Sequence, residues 1–483
     1  MNRFLLLIAL VLSMTAYGQE EYLEISFKDV KSSSAYIDNV HLVKNQETGF
    51  LSIFAEESKT TYGFQYDENL KQVAQLTSGG LKRKYKEIIG QVYDNDRIRL
   101  LQKNKKGTKF ASILYDFNAQ VTEEIEYDVD MSDQKFIQSY SKGGACYVFT
   151  IFKNKNLLRK WVFKLDGSVS HIDISLQEEL VRNRFSSTNI YNLLTETQGF
   201  NTILKMVKVE NRLPNTLEIA TEESKMYAHD NGFYWTLDSN HHYTVLLDFQ
   251  LPDLEPTITF VEKTKLNTRL PASNSFIVGN VLAQIVSSSQ ELKLNFRDIE
   301  DMESLKTYDL LKDDEITFKN SPILQEGSVY SFGATRKLEK TSKFLRKIAS
   351  DKNGIALFKS DNGYRATIGG VRPQSGGGGF GAMGALGSIP IASFGAATMS
   401  FNPASFAYGS YGFTGSTRIE SLFHNDFDHR EGELPDNVFD EIEELSSKWL
   451  KRADDVYLID DFVLFGNYQT NRKLFTLYKF QNK

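Results

Sequence analysis

Gly49-Phe50-Leu51-Ser52-Ile53-Phe54 is a turn residue followed by an apolar, β-prone run, and the chain can be read outward from it. The same unit recurs at Asp96 (Arg97 to Leu101), Gly144 (Ala145 to Phe152), Gly199 (Phe200 to Val207), Gly232 (Phe233 to Leu237), Gly279 (Asn280 to Val286) and Gly327 (Ser328 to Phe332). The mean step is about 46 residues, a period that marks internal repeats. A polar turn and a second β-prone run follow each unit. Many second runs finish on an aspartate: Asp67, Asp116, Asp166, Asp248, Asp298 and Asp351. Aspartate tolerates left-handed backbone and bonds nearby amides through its own carboxylate, so these read as turn residues before they read as catalytic acids.

A repeat of short strands cannot bury both faces alone and must stack on its neighbours. Over residues 22 to 368 the pattern resembles β-propeller repeats, with the aromatic-x-aspartate strand end as the carrying feature. The WD dipeptide and a Kelch-like double glycine are absent, so the resemblance is to an architecture. It implies a disc with a central channel and no particular activity. The expected fold is all-β, a propeller of seven or eight blades with a Gly-rich loop and one helix inserted before the C-terminal strands. Two β-sandwich-like domains are the alternative. The run Asp461 to Phe465, followed by Lys473 to Tyr478, repeats the hairpin and is expected to close the ring against residues 22 to 30. The expected division is a signal peptide (1–18), blades (19–368), an uncharged insertion (369–417), a polar loop with an amphipathic helix (418–453) and closing strands (454–483).

The composition is that of a globular protein: 483 residues, 41% hydrophobic and 24% charged. With 56 basic residues against 62 acidic ones the net charge is −6, which offers no general attraction to a phosphate backbone and argues against nucleic acid as a partner. The single cysteine, Cys146, excludes an intramolecular disulfide and any zinc site built on two cysteines. Met1-Asn2-Arg3, the apolar run Phe4 to Leu12 and the small residues Ala16 and Gly18 form a signal-peptide pattern with cleavage before Gln19. The residue directly after that point is Gln19, not a cysteine. The expectation is an exported chain, periplasmic or secreted, and not a lipoprotein.

Between Arg372 and Arg418 lie 45 residues without a charge, eleven of them glycine. A flexible insertion is expected there. Its aromatic residues, Phe380, Phe394, Phe401, Phe406, Tyr408, Tyr411 and Phe413, are candidates for contact with a partner or a membrane surface through residues 373–417. Gly379 to Gly384 fits G-x-G-x-x-G, but no acidic residue about twenty positions later and no helical pattern support a dinucleotide site. Pro435 to Arg452 reads as a helix with Val438, Ile442, Leu445 and Trp449 on one face. Arg336 to Lys347 reads as a solvated basic hairpin in preference to a helix, because Asp351 aligns with the other strand-end aspartates.

His424, Asp426, Asp428 and His429 are the densest ligand-like cluster, read first as a polar loop and only weakly as a metal site. His241-His242 and the Asp128, Asp130, Asp133 group carry fainter signals of the same kind. No G-x-S-x-G, H-E-x-x-H or P-loop pattern is present, and no cofactor is implied. The functional expectation is an exported, non-enzymatic module that binds an unknown protein or glycan. A glycan-acting hydrolase and a membrane-surface protein are the alternatives.

Overall fold

The computed structural model describes residues 20–27, 37–57, 60–79, 81, 84–142, 144–176, 189–198, 201–204, 206–268, 271–326, 335–372, 402–411, 416–447 and 454–482. Strand β1 (Glu20–Ser26) opens the chain, and antiparallel sheets then follow one another in sequence order. Blade I is β2 (Asn39–Lys44), β3 (Leu51–Glu57), β4 (Thr60–Tyr66) and β5 (Gln72–Ser78). Blade II is β6 (Tyr85–Tyr93), β7 (Arg97–Asn104), β8 (Phe110–Asp116) and β9 (Val121–Tyr127). Blade III is β10 (Gln134–Lys142), β11 (Ala145–Phe152), β12 (Leu157–Lys164) and β13 (Val169–Ser175). A short helix α1 (Ile190–Leu193) and a hairpin, β14 (Thr195–Gln198) with β15 (Asn201–Leu204), lead into blade IV.

Blade IV places β16 (Val207–Val209) parallel to β17 (Ser224–His229), then β18 (Gly232–Leu237), β19 (Tyr243–Gln250) and β20 (Pro256–Glu262). Helix α2 (Leu217–Ala220) lies between β16 and β17. Blade V is β21 (Ala272–Val278), β22 (Val281–Ser287), β23 (Glu291–Asp298) and β24 (Ser304–Leu311). Blade VI contains β25 (Ile323–Gln325), β26 (Arg336–Leu338), β27 (Lys352–Ser360), β28 (Gly363–Val371) and β29 (Ser416–Phe423), in the order β26-β25-β29-β28-β27. Helix α3 (Thr341–Ser350) precedes β27; α4 (Pro403–Tyr411) and α5 (Val438–Ser446) flank β29. Blade VII joins β30 (Asp455–Ile459), β31 (Phe462–Gln469) and β32 (Leu474–Gln481) to β1, which pairs antiparallel with β32. The fold is therefore an all-β propeller, with seven blades among the described residues and a last blade built from both ends of the chain.

Successive blades touch through their faces. Phe54 of blade I lies 4.7 Å from Tyr115 of blade II, and Phe110 of blade II lies 5.8 Å from Phe163 of blade III. Phe149 meets Trp235 at 5.6 Å, and Tyr227 meets Phe276 at 5.5 Å, which carries the stack through blades IV and V. Asn353 Nδ2 donates to Ala272 O at 2.9 Å between blades VI and V. Helices α4 and α5 contribute to the junction of blades VI and VII, where Tyr408 packs on both Phe439 and Phe465. Lys44 of blade I pairs with Asp460 of blade VII, and Tyr457 donates to Val40 O, which closes the circle.

The repeat units recognised in the sequence are mostly the second strands of blades. β3, β7, β11, β18 and β22 have neighbours on both faces, so their sequences are nearly continuous apolar runs. The outermost strands β9, β13 and β24 show mostly exposed or half-buried positions. Gly49, Gly144 and Gly279 have φ of +72°, +76° and +51°, so the turn into the second strand uses left-handed backbone. Gly199 is different: the run after it feeds the hairpin β14–β15 and the short β16, which is why the steps around it are irregular. The run after Gly327 lies outside the described residues.

Three expectations need correction. Residues Thr341–Ser350 form a helix rather than part of a hairpin, because Phe344, Leu345 and Ile348 bury on one face and leave Lys343 and Arg346 exposed. Asp351 is its C-terminal cap and ends no strand. Ser416–Phe423 is a full strand of blade VI, so the blades extend beyond residue 368 and embrace the insertion. Finally, the insertion is not wholly an excursion. Helix α4 touches β30 of blade VII, β16 of blade IV and α2. Blades IV and VII are not neighbours in the ring, so a segment that reaches the innermost strands of both crosses the channel. The predicted helix starting at Pro435 is present as α5, capped reciprocally by Asn437 and Asp440, with Val438, Phe439 and Ile442 buried. Trp449 lies outside the described residues.

Candidate functional site in the central channel

Innermost strands of five blades end around one cavity of about 480 Å³. Blade I supplies Leu42, Lys44 and Gln46; blade II supplies Ile89, Gly90, Gln91 and Tyr93; blade III supplies Tyr140, Ser141 and Lys142. Blade IV adds Lys208, Glu210, Arg212 and Ala228, and blade VII adds Tyr457, Leu458 and Ile459. Asn402, Pro403 and Ala404, at the start of α4, form part of its wall. Lys142, Arg212 and Gln46 are exposed, whereas Leu42, Tyr140, Tyr457 and Ala404 are buried, so the cavity runs from a charged mouth to an apolar base.

Close approach of blades II and III shapes one side. A Cβ at Gly90 would stand 2.3 Å from Cys146 Sγ and 2.6 Å from Ser141 Oγ, so only glycine lets β6 lie against β10 and β11. Ser139 donates to Ile89 O, and Gln91 N donates to Ser141 Oγ at 3.1 Å, which laces the two strands. Cys146 is fully buried, and desolvation pushes its thiol up to about 11, which makes it an inert packing residue. Gly90→Ala is expected to destabilise the protein by about 1–3 kcal/mol through overpacking, measured by urea unfolding.

At the mouth the charges are mostly paired. Lys44 is bonded to Asp460, whose carboxyl is held below its ordinary range by that ammonium. Gln46 Nε2 also donates to Asp460, at 3.4 Å. Arg212 makes a two-point contact with Glu210, at 2.8 and 3.0 Å. Two cations are different. Lys142 donates to Asp230 O, and Lys208 donates to Ser139 O at 3.4 Å, so both meet carbonyls. Burial lowers the titration of Lys208 below that of an ordinary lysine. At the base, Tyr457 donates to Val40 O and to Asp455 Oδ2, the latter at 2.7 Å, and burial raises the Asp455 carboxyl. Tyr140 Oη and Gln91 Oε1, on lining residues, have no hydrogen-bond partner among the described residues.

The residues singled out for partner contact lie elsewhere. Phe406 is buried beside Ala404 and Ala407, so it belongs to the core and presents no contact surface. Tyr408 and Tyr411 are half-buried against Phe439, with Tyr411 Oη donating to Asp440 at 2.7 Å. The expectation of a sticky surface loop is corrected at Phe406, whose ring lies in the core, while the half-buried rings of Tyr408 and Tyr411 pack α4 on α5. Phe380, Phe394, Phe401 and Phe413 lie outside the described residues. In the polar loop after β29, Asp428 pairs with Lys306, His429 Nε2 lies 3.0 Å from Asn320 Oδ1, and Asp426 accepts from Asp428 N. His424 accepts and donates through its backbone in the same turn. Among the described residues no group of three or more His, Cys, Asp or Glu side chains is gathered for a metal.

A second cleft of about 480 Å³ runs along blade VI beneath α5. Its charges are tied in pairs: Arg365 with Glu420 at 2.5 Å, and Arg418 with Glu326 at 2.6 Å. Arg365 also donates to Pro435 O at 2.8 Å, so these side chains tether the approach to α5.

The channel lysines carry no local sequence signature. Lys44, Lys142 and Lys208 are separated by whole blades, and each becomes visible only when the ends of innermost strands are superposed around the axis.

No protein-family model and no curated protein sequence matches the chain. Among solved structures, the Synechocystis apocarotenoid oxygenase mutant Trp149Ala is 10% identical, with a TM-score of 0.28, over 62% of this chain and 64% of that one. The uncharacterized protein lmo1340 from Listeria monocytogenes EGD-e is also 10% identical, with a TM-score of 0.26, over 92% of this chain and 95% of that one. A prolyl endopeptidase aligns at 8% identity and a TM-score of 0.23, over 70% of this chain and 48% of that one. The chain spans about three fifths of the length of the first apocarotenoid oxygenase structures it matches. These are loose likenesses, and the architecture described above stands on strand pairing.

Proposed function

We propose that this protein is an exported, non-enzymatic binding module whose small polar ligand seats in the channel pocket. The observation that carries the reading is a cavity of ligand size at the convergence of five blades, walled on one side by the chain's own helix α4. Lining chemistry supports binding over catalysis. Glu210, the only carboxylate of the lining among the described residues, is clamped by Arg212, and Ser141 Oγ accepts from a backbone amide. The charged start and apolar run of the first residues support export, and the expected cleavage before Gln19 falls immediately ahead of β1.

Ala228 is a small, exposed residue of the lining, so an indole placed there fills the cavity without disturbing the core. Native mass spectrometry of the wild type with a panel of small polar compounds is expected to show a one-to-one adduct. Ala228→Trp is expected to lose it with an unchanged unfolding midpoint. An adduct that persists unchanged in Ala228→Trp places the ligand elsewhere and defeats the reading.

A further inference from the structure

We infer that the channel pocket takes a small oxyanion, a carboxylate, phosphate or sulfate group on a compact polar body, held between Lys142 and Lys208. This rests on the pocket being the ligand site. The chain as a whole is acidic at −6, yet among the described residues the lining carries four cationic side chains, Lys44, Lys142, Lys208 and Arg212, against the single carboxylate of Glu210. Asp460 neutralises Lys44, and Glu210 neutralises Arg212, with Asp230 and Asp461 adding to the field at the guanidinium. The rim is thereby balanced. Lys142 and Lys208, from the adjacent blades III and IV, are instead hydrogen-bonded to carbonyls and form no ion pair among the described residues, with only the more distant field of Glu210 acting on Lys208.

Lys208 loses hydration in the cavity wall while Lys142 stands at the exposed mouth, and an anion held by both offsets the burial of the Lys208 ammonium. Burial lowers the titration of Lys208, and the field of Glu210 offsets this only in part. Tyr140 Oη and Gln91 Oε1, buried on lining residues of blades III and II, have hydrogen-bonding capacity left unused among the described residues. The volume of about 480 Å³ fits a small molecule.

The test is calorimetric titration at low ionic strength with inorganic pyrophosphate, sulfate, citrate and uncharged maltose, on the wild type, Lys142→Met, Lys208→Met, Lys208→Arg and Ala228→Trp. At least one anion is expected to bind, and the responding probe tells a phosphate from a sulfate or a carboxylate source. Each Met variant should weaken it by about ten- to a hundredfold, the range for a charged hydrogen bond. Lys208→Arg should retain most of the affinity, and added salt should reduce it. Anion binding equal in wild type and both Met variants overturns the inference, as does a pocket that binds maltose and none of the anions. If Ala228→Trp blocks maltose in that case, the pocket reading survives; if Ala228→Trp leaves all binding unchanged, both fall. No response to any probe overturns the inference. Should Lys208→Met fail to fold, Lys142→Met at the exposed mouth and Lys208→Arg still decide it.

Discussion

Asp238→Asn is expected to cost about 3–5 kcal/mol of stability, the range for breaking a buried ion pair by removing one partner. Asp238 is fully enclosed between blades IV and V with two lysines, Lys225 and Lys263, on its two oxygens at 3.3 and 3.5 Å. Ser275 donates to it at 2.7 Å and Thr244 at 2.8 Å. Lys225 is also bonded to Asn274 at 2.6 Å, and Lys263 to Asp238 O and Asn240 O at 2.8 Å each. An asparagine keeps the shape but leaves two buried ammonium groups with only the weaker fields of Glu222 and Glu223. The flanking ammonium groups and hydroxyl donors hold the Asp238 carboxyl below its ordinary range despite burial. Its contribution is therefore present above the unfolded-state carboxylate pKa and is lost as pH falls through the depressed folded value. Burial lowers both lysines, so deprotonating them favours the fold and works in the opposite sense on the alkaline side. Urea unfolding across acid pH should show the wild type losing stability steeply where the variant, already weakened, changes less. Equal acid sensitivity in the two proteins would show that Asp238 is not the stabilising charge.

Phe27→Ala should be nearly as damaging, about 3–5 kcal/mol, because it loosens the closing blade. Phe27 follows β1, is 3% exposed, and meets Phe64 of blade I at 5.4 Å and Tyr468 of blade VII at 5.8 Å, both edge-on. Its amide donates to Lys473 O at 2.8 Å, which extends the β1–β32 ladder by one bond. Phe260→Ala, on the outer strand of blade IV where the ring is 44% exposed, is the control and should stay within about 0.5 kcal/mol of the wild type. Denaturant midpoints for the two variants read the difference directly. Similar midpoints would mean that the junction of blades VII and I carries little of the fold's stability.

The hairpin repeat was readable because second strands, enclosed on both faces, leave a one-dimensional apolar signal. The turn aspartates were readable for a local reason as well. Asp67, Asp116, Asp166 and Asp298 each accept from an amide two to four residues downstream. Asp351 shared their position in the alignment but not their environment. The spacing of Phe344, Leu345 and Ile348 was the stronger signal there, and it specifies a helix. Burial of Phe406 could not be anticipated from an uncharged, glycine-rich composition, which looks the same whether a segment faces solvent or fills an axis. The pocket lysines were hidden for a geometric reason: their proximity is created by ring closure and by nothing nearer in the chain.

Blade VII has a consequence for biogenesis. Its outer strand, β1, precedes every other described strand, while the partner it needs, β32, follows them all. β1 stays an orphan edge until β32 has been made, so this blade cannot be completed before the strands of the other six blades have appeared. Until then the half-built disc presents two open edges to its surroundings.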